Sequence, residues 1–370
     1  MTALYVILIS AGLVLGISAA FAALLLLAER YLADFGQCVI DVNRGGKRLE
    51  VKGGETLLNS LMGQRIFIPS ACGGKGTCAY CKVKVLNGAG PVAPTEEPLL
   101  TAEEVANNVR ISCQVKVRED MAVEIPEHLL SVKEYKGTAE RIRDLTHDIK
   151  ELRIKLTDPP TLDFVPGQYV QLMAPAYKGS PEAVYRAYSI SSPPHDTGYI
   201  ELIIRLVPGG ACTTWVFQHL SEGDEVTFNG PYGEFRLSDT DAEMVWIAGG
   251  SGMAPFWSII RHMKQAGIAR KCTYFFGAVQ KRDLFLTDEL RQLDQELDWF
   301  TFVPALSGPA EGDPWNGQTG LITEVVGKGV PDAAGKEGYL CGSGGMIDAA
   351  VKVLEGLGMP EGKIYYDKFT

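Results

Sequence analysis

The chain has 370 residues and a formal net charge of −10 at pH 7. This length predicts two or three domains, each able to bury a core of its own. The excess of acidic residues argues against a nucleic-acid partner, because binding to phosphates depends on clustered Lys and Arg. Of the eight cysteines, four crowd one stretch and four are scattered singly, which disfavours the disulfide framework of a small secreted protein.

The chain begins with a long apolar segment. No charged residue occurs from residue 4 to residue 28, and as a helix this run spans about 37 Å, enough to cross a hydrocarbon core of about 30 Å with some tilt. We predict a transmembrane helix over residues 3–29. The alternative is a cleaved signal peptide, which requires a basic stretch that the first five residues do not offer. Arg30 is the first basic side chain, so we expect an inner-membrane protein whose bulk is cytoplasmic.

Three soluble blocks are expected after this helix. Residues 36–130 have apolar runs at 38–40, 66–68 and 81–85 between glycine-rich turns, which predicts a small, mostly β domain with one helix near 56–61. Residues 134–238 contain short strands punctuated by Pro and Gly, which is typical of a small antiparallel barrel. The predicted barrel strands are 149–156, 169–173, 199–206 and 225–228.

From residue 242 to residue 370 the pattern changes to short apolar strands that alternate with segments of helix length. This alternation predicts a parallel α/β sheet. The predicted strands are 244–248, 272–277, 300–305 and 338–341, and the predicted helices are 255–265, 287–297 and 346–357. Short polar linkers are expected near 130–136 and 238–243.

Four cysteines have the spacing of metal ligands. Cys72, Cys78 and Cys81 form C-x₅-C-x₂-C, and Cys113 follows 32 positions later. Four thiolates are what a [2Fe–2S] cluster requires, and the glycines of the loop let the backbone wrap closely around sulfides. A zinc site, the main alternative, more often has two C-x₂-C pairs separated by a dozen or more residues. The arrangement resembles a plant-type ferredoxin, although the first spacing there is x₄.

The middle block carries the sequence RAYS at 186–189. This stretch resembles the Arg-x-Tyr-Ser barrel signature of the ferredoxin–NADP⁺ reductase superfamily, whereas in isolation it would be four ordinary strand residues. The resemblance implies that Arg186 pairs with a flavin phosphate. It also implies that Tyr188 packs on the isoalloxazine ring and that Ser189 forms a hydrogen bond near its N5.

The sequence PGGACTT at 208–214 precedes a predicted helix that extends to Leu220. By the same resemblance, residues from Gly210 to Thr214 hold the pyrophosphate of FAD. The helix N-terminus suits an anion, since its N–H groups are unpaired and the helix dipole is positive there. The hydroxyls of Thr213 and Thr214 can add donors, and Thr213 is the preferred phosphate contact.

A second glycine-rich turn follows the first strand of the last block. Gly249, Gly250, Gly252 and Met253 lie between that strand and a predicted helix. Glycines there let the backbone approach a pyrophosphate. A turn of this kind is weak evidence by itself, but it matches the pyridine-nucleotide turn of the reductases. NADH is favoured over NADPH, although Lys281 and the adjoining arginine could bind a 2′-phosphate.

Three residues near the C-terminus complete the predicted site. The resemblance places Cys341 and Gly342 beside the nicotinamide, and it matches Phe369 to a C-terminal aromatic residue that covers the flavin in some relatives. The alternatives are a buried structural cysteine and an aromatic residue in a frayed tail. The loop at 341–345 departs from the family pattern, which often has prolines there. The predicted catalytic residues are therefore Ser189, Cys341 and Phe369.

The order of anchor helix, ferredoxin domain, flavin barrel and nicotinamide domain resembles the family of F subunits of sodium-translocating NADH:quinone oxidoreductases. The resemblance implies hydride transfer from NADH to FAD, then single electrons through the cluster to other membrane subunits. One alternative is a membrane-tethered NAD(P)H reductase that serves an oxygenase or another acceptor complex. A second alternative is an assembly protein without turnover, which only the divergent 341–345 loop favours.

Overall fold

The computed structural model describes residues 2–32, 35–312 and 314–369. Two compact units form. The first comprises the chain up to Ile68 together with Gly74–Ser131, and the second comprises Pro69–Gly73 and the chain from Val132 onward.

Helix α1 (Thr2–Leu32) contains the predicted span 3–29. Its segment Leu8–Leu26 has a mean hydropathy of 2.3, and none of its residues is buried within the protein. In the described part of the chain it is the one helix that is long and apolar enough to cross a membrane.

The first unit contains a five-stranded sheet in the order β2-β1-β5-β3-β4. Its elements are β1 (Gln37–Val42), β2 (Lys47–Lys52), α2 (Leu57–Gly63), β3 (Lys82–Asn87), α3 (Ala102–Ala106), β4 (Val109–Ile111), β5 (Met121–Glu124) and α4 (Glu127–Leu130). The predicted helix near 56–61 is α2, and the Thr56 hydroxyl caps it by accepting the Asn59 N–H at 3.2 Å. The apolar run 66–68 is buried, but it lies in an irregular segment rather than in the strand we expected.

The second unit begins with a six-stranded antiparallel sheet in the order β10-β7-β6-β11-β8-β9. Its elements are β6 (Lys133–Asp144), β7 (Ile149–Asp158), β8 (Tyr169–Ala174), β9 (Val184–Ser189), β10 (Tyr199–Arg205), α5 (Ala211–Gln218) and β11 (Glu225–Tyr232). A bridge between Ile190 and Leu202 joins the two edges of the sheet, as in a barrel. The expected linker at 130–136 is wrong in part, because β6 already begins at Lys133 and pairs with β7 and β11.

The remainder of the second unit is a parallel sheet in the order β15-β14-β13-β12-β16-β17, with helices between its strands. Its elements are β12 (Met244–Gly249), α6 (Met253–Ala266), β13 (Cys272–Ala278), α7 (Thr287–Glu296), β14 (Phe300–Leu306), β15 (Gln318–Thr319), α8 (Ile322–Gly329), β16 (Glu337–Ser343), α9 (Gly344–Gly356) and β17 (Ile364–Phe369). Separate apolar cores form around Trp246 and Ile247, which are adjacent residues of β12. Successive strand side chains point to opposite faces, so both faces of the sheet are covered.

Candidate functional site

Strand β9 carries three of the predicted flavin residues. It pairs with β8, and Ser189 lies opposite Tyr169 in that register. Ser189 is buried, whereas Arg186 and Tyr188 are half-buried. The Arg186 guanidinium donates one hydrogen bond to the Tyr185 carbonyl at 2.7 Å. No carboxylate pairs with Arg186 among the described residues, so its charge is available to an anion.

Tyr188 is joined to the helix that follows the barrel strands. Burial raises the pKa of the Tyr188 phenol well above its usual value, and the Cys212 thiol, to which it is hydrogen-bonded, adds to that shift. Burial likewise raises the pKa of Cys212 to about 11. Both groups therefore stay neutral at physiological pH, and the contact fixes the Tyr188 ring beside the first turn of α5.

Helix α5 begins immediately after Gly210, which is its N-cap and offers no side chain. The Thr213 hydroxyl accepts the Val207 N–H at 3.1 Å and lies 3.2 Å from the Gly210 carbonyl. Thr213 therefore holds the shape of the turn. The Thr214 side chain is half-buried. The N-terminus of α5 is suited to bind phosphate. Arg186, in the same half of the protein, has a charge available to the same anion.

Two buried hydroxyls follow β9 directly. Ser191 and Ser192 are 0% exposed, and neither hydroxyl has a hydrogen-bond partner in the part of the chain that the structure describes. Buried polar groups without partners are uncommon in native proteins, because each costs the free energy of lost hydration. The available cation of Arg186 and the N-terminus of α5 are the features that fit the phosphates of a bound dinucleotide such as FAD.

The glycine-rich turn after β12 lies against the last strands of the sheet. A Cβ atom at Gly252 would overlap the Cys341 carbonyl, so only glycine permits this approach. Gly250 has φ +56° and Gly342 has φ +147°, both in the region that favours glycine. The turn leads into Met253, the first residue of α6. The predicted residues of the nicotinamide turn and the Cys341–Gly342 pair are thus brought together.

The predicted catalytic residues converge through strand pairing. Cys341 of β16 lies between Ala248 of β12 and Asp367 of β17 in the parallel registers. The Ser189 hydroxyl donates to Asp367 Oδ2 at 3.4 Å, which connects the flavin strand to the C-terminal strand. Cys341 is fully buried, and burial raises the pKa of its thiol. Phe369 lies opposite Ser343 and packs on the aromatic core below the sheet.

Sequence reasoning missed Asp367. Burial raises the pKa of its carboxyl to about 6, and the hydrogen bond from Ser189 opposes this shift. The sequence offers one signal for Asp367, since it is an acidic residue among aromatic residues near the C-terminus. Its place beside Cys341 depends on the pairing of β17 with β16, which the sequence does not specify. A carboxyl group whose pKa is raised in this way, beside Ser189 and Cys341, is suited to acid–base or electrostatic work.

The predicted cluster cysteines are mostly shielded from solvent. Cys72, Cys81 and Cys113 are buried and Cys78 is partly exposed, and none of the eight cysteines of the described chain forms a disulfide bond. The loop between Cys72 and Cys78 has positive φ angles at Gly73, Gly74 and Gly76, which only glycine adopts readily.

Cys81 and Cys113 form a close pair of thiols. The hydrogen bond with Cys113, then burial, then the repulsion between two thiolates raise the pKa of Cys81. A bound cation removes that penalty. No three His, Cys, Asp or Glu side chains within the described ranges converge as one metal ion would require. A close thiol pair is compatible with a [2Fe–2S] cluster, in which four thiolates are shared between two irons.

Comparison with known families agrees with these three sites. Residues 40–118 match the family model of 2Fe-2S iron-sulfur cluster binding domains. Residues 137–237 match oxidoreductase FAD-binding domains, and residues 246–352 match oxidoreductase NAD-binding domains. The cofactors of the chain are therefore a [2Fe–2S] cluster, FAD and a nicotinamide dinucleotide.

Known relatives match this chain over nearly its full length. The F subunit of the Na(+)-translocating NADH-quinone reductase of Pseudomonas paraeruginosa is 36% identical over 402 aligned positions, which cover 98% of both chains. The chain belongs to the family of these F subunits. Another member, from Marinomonas sp., is 37% identical to it and covers 95% of both chains. As an F subunit, the chain is an oxidoreductase.

Solved structures share the fold of this chain. A cytochrome P450 reductase of Amycolatopsis superposes with a TM-score of 0.72 at 30% identity and covers 90% of this chain and 99% of its own. The ferredoxin reductase of carbazole 1,9a-dioxygenase superposes with a TM-score of 0.68 at 24% identity and covers 90% of this chain and 98% of its own. The predicted fold, a ferredoxin domain followed by a flavin barrel and an α/β nucleotide domain, is confirmed.

Proposed function

We propose that this chain oxidises NADH where its FAD-binding and NAD-binding halves meet, and delivers the electrons singly through its [2Fe–2S] cluster to membrane subunits of a sodium-translocating NADH-quinone reductase. The observation that carries the proposal is the convergence of Ser189, Cys341 and Asp367, which come from three strands of those two halves. The length of the match with the F subunits of such complexes supports the assignment.

FAD would supply the step that links the carriers, since it accepts two electrons as a hydride and releases them one at a time. Arg186 and the N-terminus of α5, with Gly210, Thr213 and Thr214, would hold its phosphates. Thr213 would act by shaping the turn, since its hydroxyl is bonded to backbone, and Thr214 would donate directly.

On the nicotinamide side, the glycine turn at 249–253 would hold the pyrophosphate of NADH with backbone N–H groups. Cys341 and Gly342 would form a small, dry floor below the nicotinamide ring. Ser189 would orient the reacting edge of the flavin. The Asp367 carboxylate would favour the positive charge that develops on the nicotinamide as hydride leaves. Phe369 would cover the flavin when NADH is absent and move aside when it binds.

The anchor and its sidedness belong to the same proposal. Segment Leu8–Leu26 would cross the cytoplasmic membrane, and the soluble domains would face the cytoplasm, where NADH is available. The support is the exposed apolar surface of α1 and the position of Arg30, the first basic residue, after the apolar run.

The experiment is an anaerobic titration of the purified chain with NADH, followed by visible absorbance and EPR. We expect the flavin to bleach and a rhombic one-electron signal to appear, because a reduced [2Fe–2S] centre is paramagnetic. Cys113→Ala removes one cluster ligand, so it should abolish the EPR signal and leave flavin bleaching intact.

Cys38→Ala is the matched control, since Cys38 is a buried thiol of the same domain outside the cluster motif. It should keep both signals. Bleaching without an EPR signal in the unmodified chain, under any reductant, would refute the assignment of Cys72, Cys78, Cys81 and Cys113. Absence of bleaching would refute NADH oxidation itself and favour an assembly role.

The similarity to a P450 reductase at 30% identity favours one second candidate, a tethered reductase that serves an oxygenase. Its reductase half would work in the same way. Purification from membranes in mild detergent separates the two, because co-purification with multi-span flavin-bearing subunits supports the quinone reductase and co-purification with a non-haem iron or haem oxygenase contradicts it.

A further inference from the structure

Helix α6 is bonded to the flavin half of the protein at a point well away from the nicotinamide turn. Its side chains Ser258 and Arg261 both reach backbone carbonyls just past β9. The Ser258 hydroxyl donates to the Ser192 carbonyl at 2.6 Å, and Arg261 Nη2 donates to the Ser191 carbonyl. These carbonyls lie two and three residues beyond Ser189. The helix that starts at the nicotinamide turn is therefore tied to the strand that carries the predicted N5 contact.

Arg261 has a second acceptor that is itself fixed. Its Nη2 lies 3.1 Å from Glu201 Oε2, and the Glu201 side chain is 5% exposed. Glu201 also pairs with Arg141 at 3.2 Å and with Arg153 at 3.5 Å. These two arginines belong to barrel strands β6 and β7, so Glu201 is held in place by the barrel and presents one oxygen to α6. A buried carboxylate with three guanidinium partners is a rigid acceptor.

The Arg261 side chain is also preorganised by its own helix. Its Nε donates to the Trp257 carbonyl at 3.2 Å, and its guanidinium lies 4.9 Å from the centre of the Trp257 ring. Little conformational entropy is then lost when it reaches across to the barrel. Met253 lies eight residues earlier on α6, about 12 Å along the axis. A tilt of the helix at Arg261 is therefore transmitted to the glycine turn.

We propose that Arg261 and Ser258 are positioning residues for hydride transfer. They set the distance between the nicotinamide turn at the start of α6 and the flavin edge at Ser189, without touching either cofactor. The inference rests on the proposed function, because it needs NADH at the turn and FAD on β9. Rates of hydride transfer depend steeply on distance, and a displacement of about 1 Å can cost about 100-fold.

The network also offers variants that should fold. Arg261→Met removes the guanidinium's contacts with the Ser191 carbonyl and Glu201 but leaves Glu201 paired with Arg141 and Arg153, so no bare buried charge remains. Ser258→Ala removes the other contact at minimal change in volume. Arg141→Met is the matched control, because it removes a guanidinium from the same carboxylate on the barrel side. The ion pairs of Arg141 are with Glu151 and Glu201, both on barrel strands.

The test uses the full chain loaded with FAD and cluster. Anaerobic rapid mixing with NADH gives the limiting rate of flavin reduction, and NADH deuterated at the transferred position gives its isotope effect. We expect Arg261→Met to lower the limiting rate about tenfold or more, and Ser258→Ala to lower it severalfold, with a larger isotope effect as chemistry becomes slower. Arg141→Met should stay within about twofold of the unmodified rate.

Two further measurements distinguish positioning from a loss of structure. The affinity for ADP-ribose, which needs only the nucleotide half, should be unchanged in Arg261→Met. The long-wavelength charge-transfer absorbance between nicotinamide and flavin should weaken, since it reports their overlap. Equal rates in all variants, or an equal loss in Arg141→Met, would overturn the proposal. If unmodified protein failed to reduce its flavin with NADH, the proposed function would fall instead, so the two failures are distinct.

Discussion

At the scale of single residues, Asp367 determines the pH dependence that we expect for flavin reduction. Burial raises the pKa of its carboxyl to about 6, against the opposing hydrogen bond from Ser189. The carboxyl is neutral below that pH and an anion above it. An anion beside the nicotinamide stabilises the positive charge that develops as hydride leaves. The limiting rate of flavin reduction by NADH should therefore rise as the pH increases through about 6.

Asp367→Asn tests this assignment, because it keeps the shape and an acceptor for Ser189 but cannot ionise. The variant should lose the pH step and reduce its flavin about tenfold more slowly at neutral pH. Asp348→Asn is the control, since Asp348 is an exposed carboxylate on α9 that pairs with Lys368 of β17 but does not contact Ser189. A wild-type profile without an inflection, or an inflection that persists in Asp367→Asn, would contradict the role of Asp367.

Candidate site residues that belong to contiguous motifs can be proposed from the sequence. Arg186, Tyr188 and Ser189 lie together on one strand, and the cluster cysteines have a recognisable spacing. Asp367 could not be predicted in this way, because its burial arises from the pairing of β17 with β16 and from a contact with Ser189, which lies 178 positions away. The same limit applies to Thr213, whose hydroxyl is bonded to the turn backbone in a way that the sequence does not specify.

At the scale of elements, the turn between β12 and α6 is packed closely against β16. Gly252 has φ −61°, so alanine is allowed there by its backbone. Its added Cβ would nevertheless overlap the Cys341 carbonyl, and relieving that overlap costs about 1–3 kcal/mol. Gly252→Ala should therefore displace the turn and weaken NADH binding about tenfold, while the FAD content of the purified protein stays normal.

The measurement is a titration of the flavin spectrum with a non-reducing analogue of NADH. Gly356→Ala provides the comparison, because Gly356 ends α9 and a Cβ there meets open space. It should bind the analogue as the unmodified chain does. Normal affinity in Gly252→Ala would show that the turn does not contact the pyrophosphate, and loss of FAD would show that the change acts on the fold rather than on the nucleotide site.

The elements that could be predicted are those whose hydrophobic pattern reports local structure. Strands β12 and β13 are covered on both faces and so appear as continuous apolar runs. Strand β6, in contrast, carries seven charged residues among its twelve (KEYKGTAERIRD), and this charge obscures its alternation although it is a central strand. The run 66–68 shows the converse error, since apolar side chains there are buried without forming a strand.

At the scale of the whole molecule, α1 is the element that bears on membrane attachment. Its segment Leu8–Leu26 exposes large apolar side chains, such as Leu15 at 70% and Phe21 at 61%. A continuous apolar surface of this kind is unfavourable in water and requires lipid or neighbouring proteins. The domain order could be predicted from the motifs, because each cofactor site has its own local sequence. By length and hydropathy alone an anchor and a signal sequence pass the same test, and the N-terminus of the mature chain distinguishes them.

The prediction is that α1 anchors the mature chain and is dispensable for internal electron transfer. The full-length protein should remain in the membrane fraction at high salt, with an intact N-terminal segment by mass spectrometry. A truncated variant that starts at Phe35 should be soluble and still show flavin bleaching and the cluster EPR signal with NADH. Leu15→Arg should weaken membrane retention, because a charge near the centre of a span costs about 2.5–3.5 kcal/mol, whereas Leu15→Ile should not.

Vesicles of defined orientation then test sidedness. If the soluble domains face the cytoplasm, inverted vesicles should oxidise added NADH and right-side-out vesicles should not until they are permeabilised, because NADH does not cross the membrane. Equal activity in sealed vesicles of both orientations would contradict a fixed cytoplasmic orientation. A mature chain that lacks the first thirty or so residues would identify α1 as a signal sequence, and the contact with membrane subunits would then have to come from the folded domains.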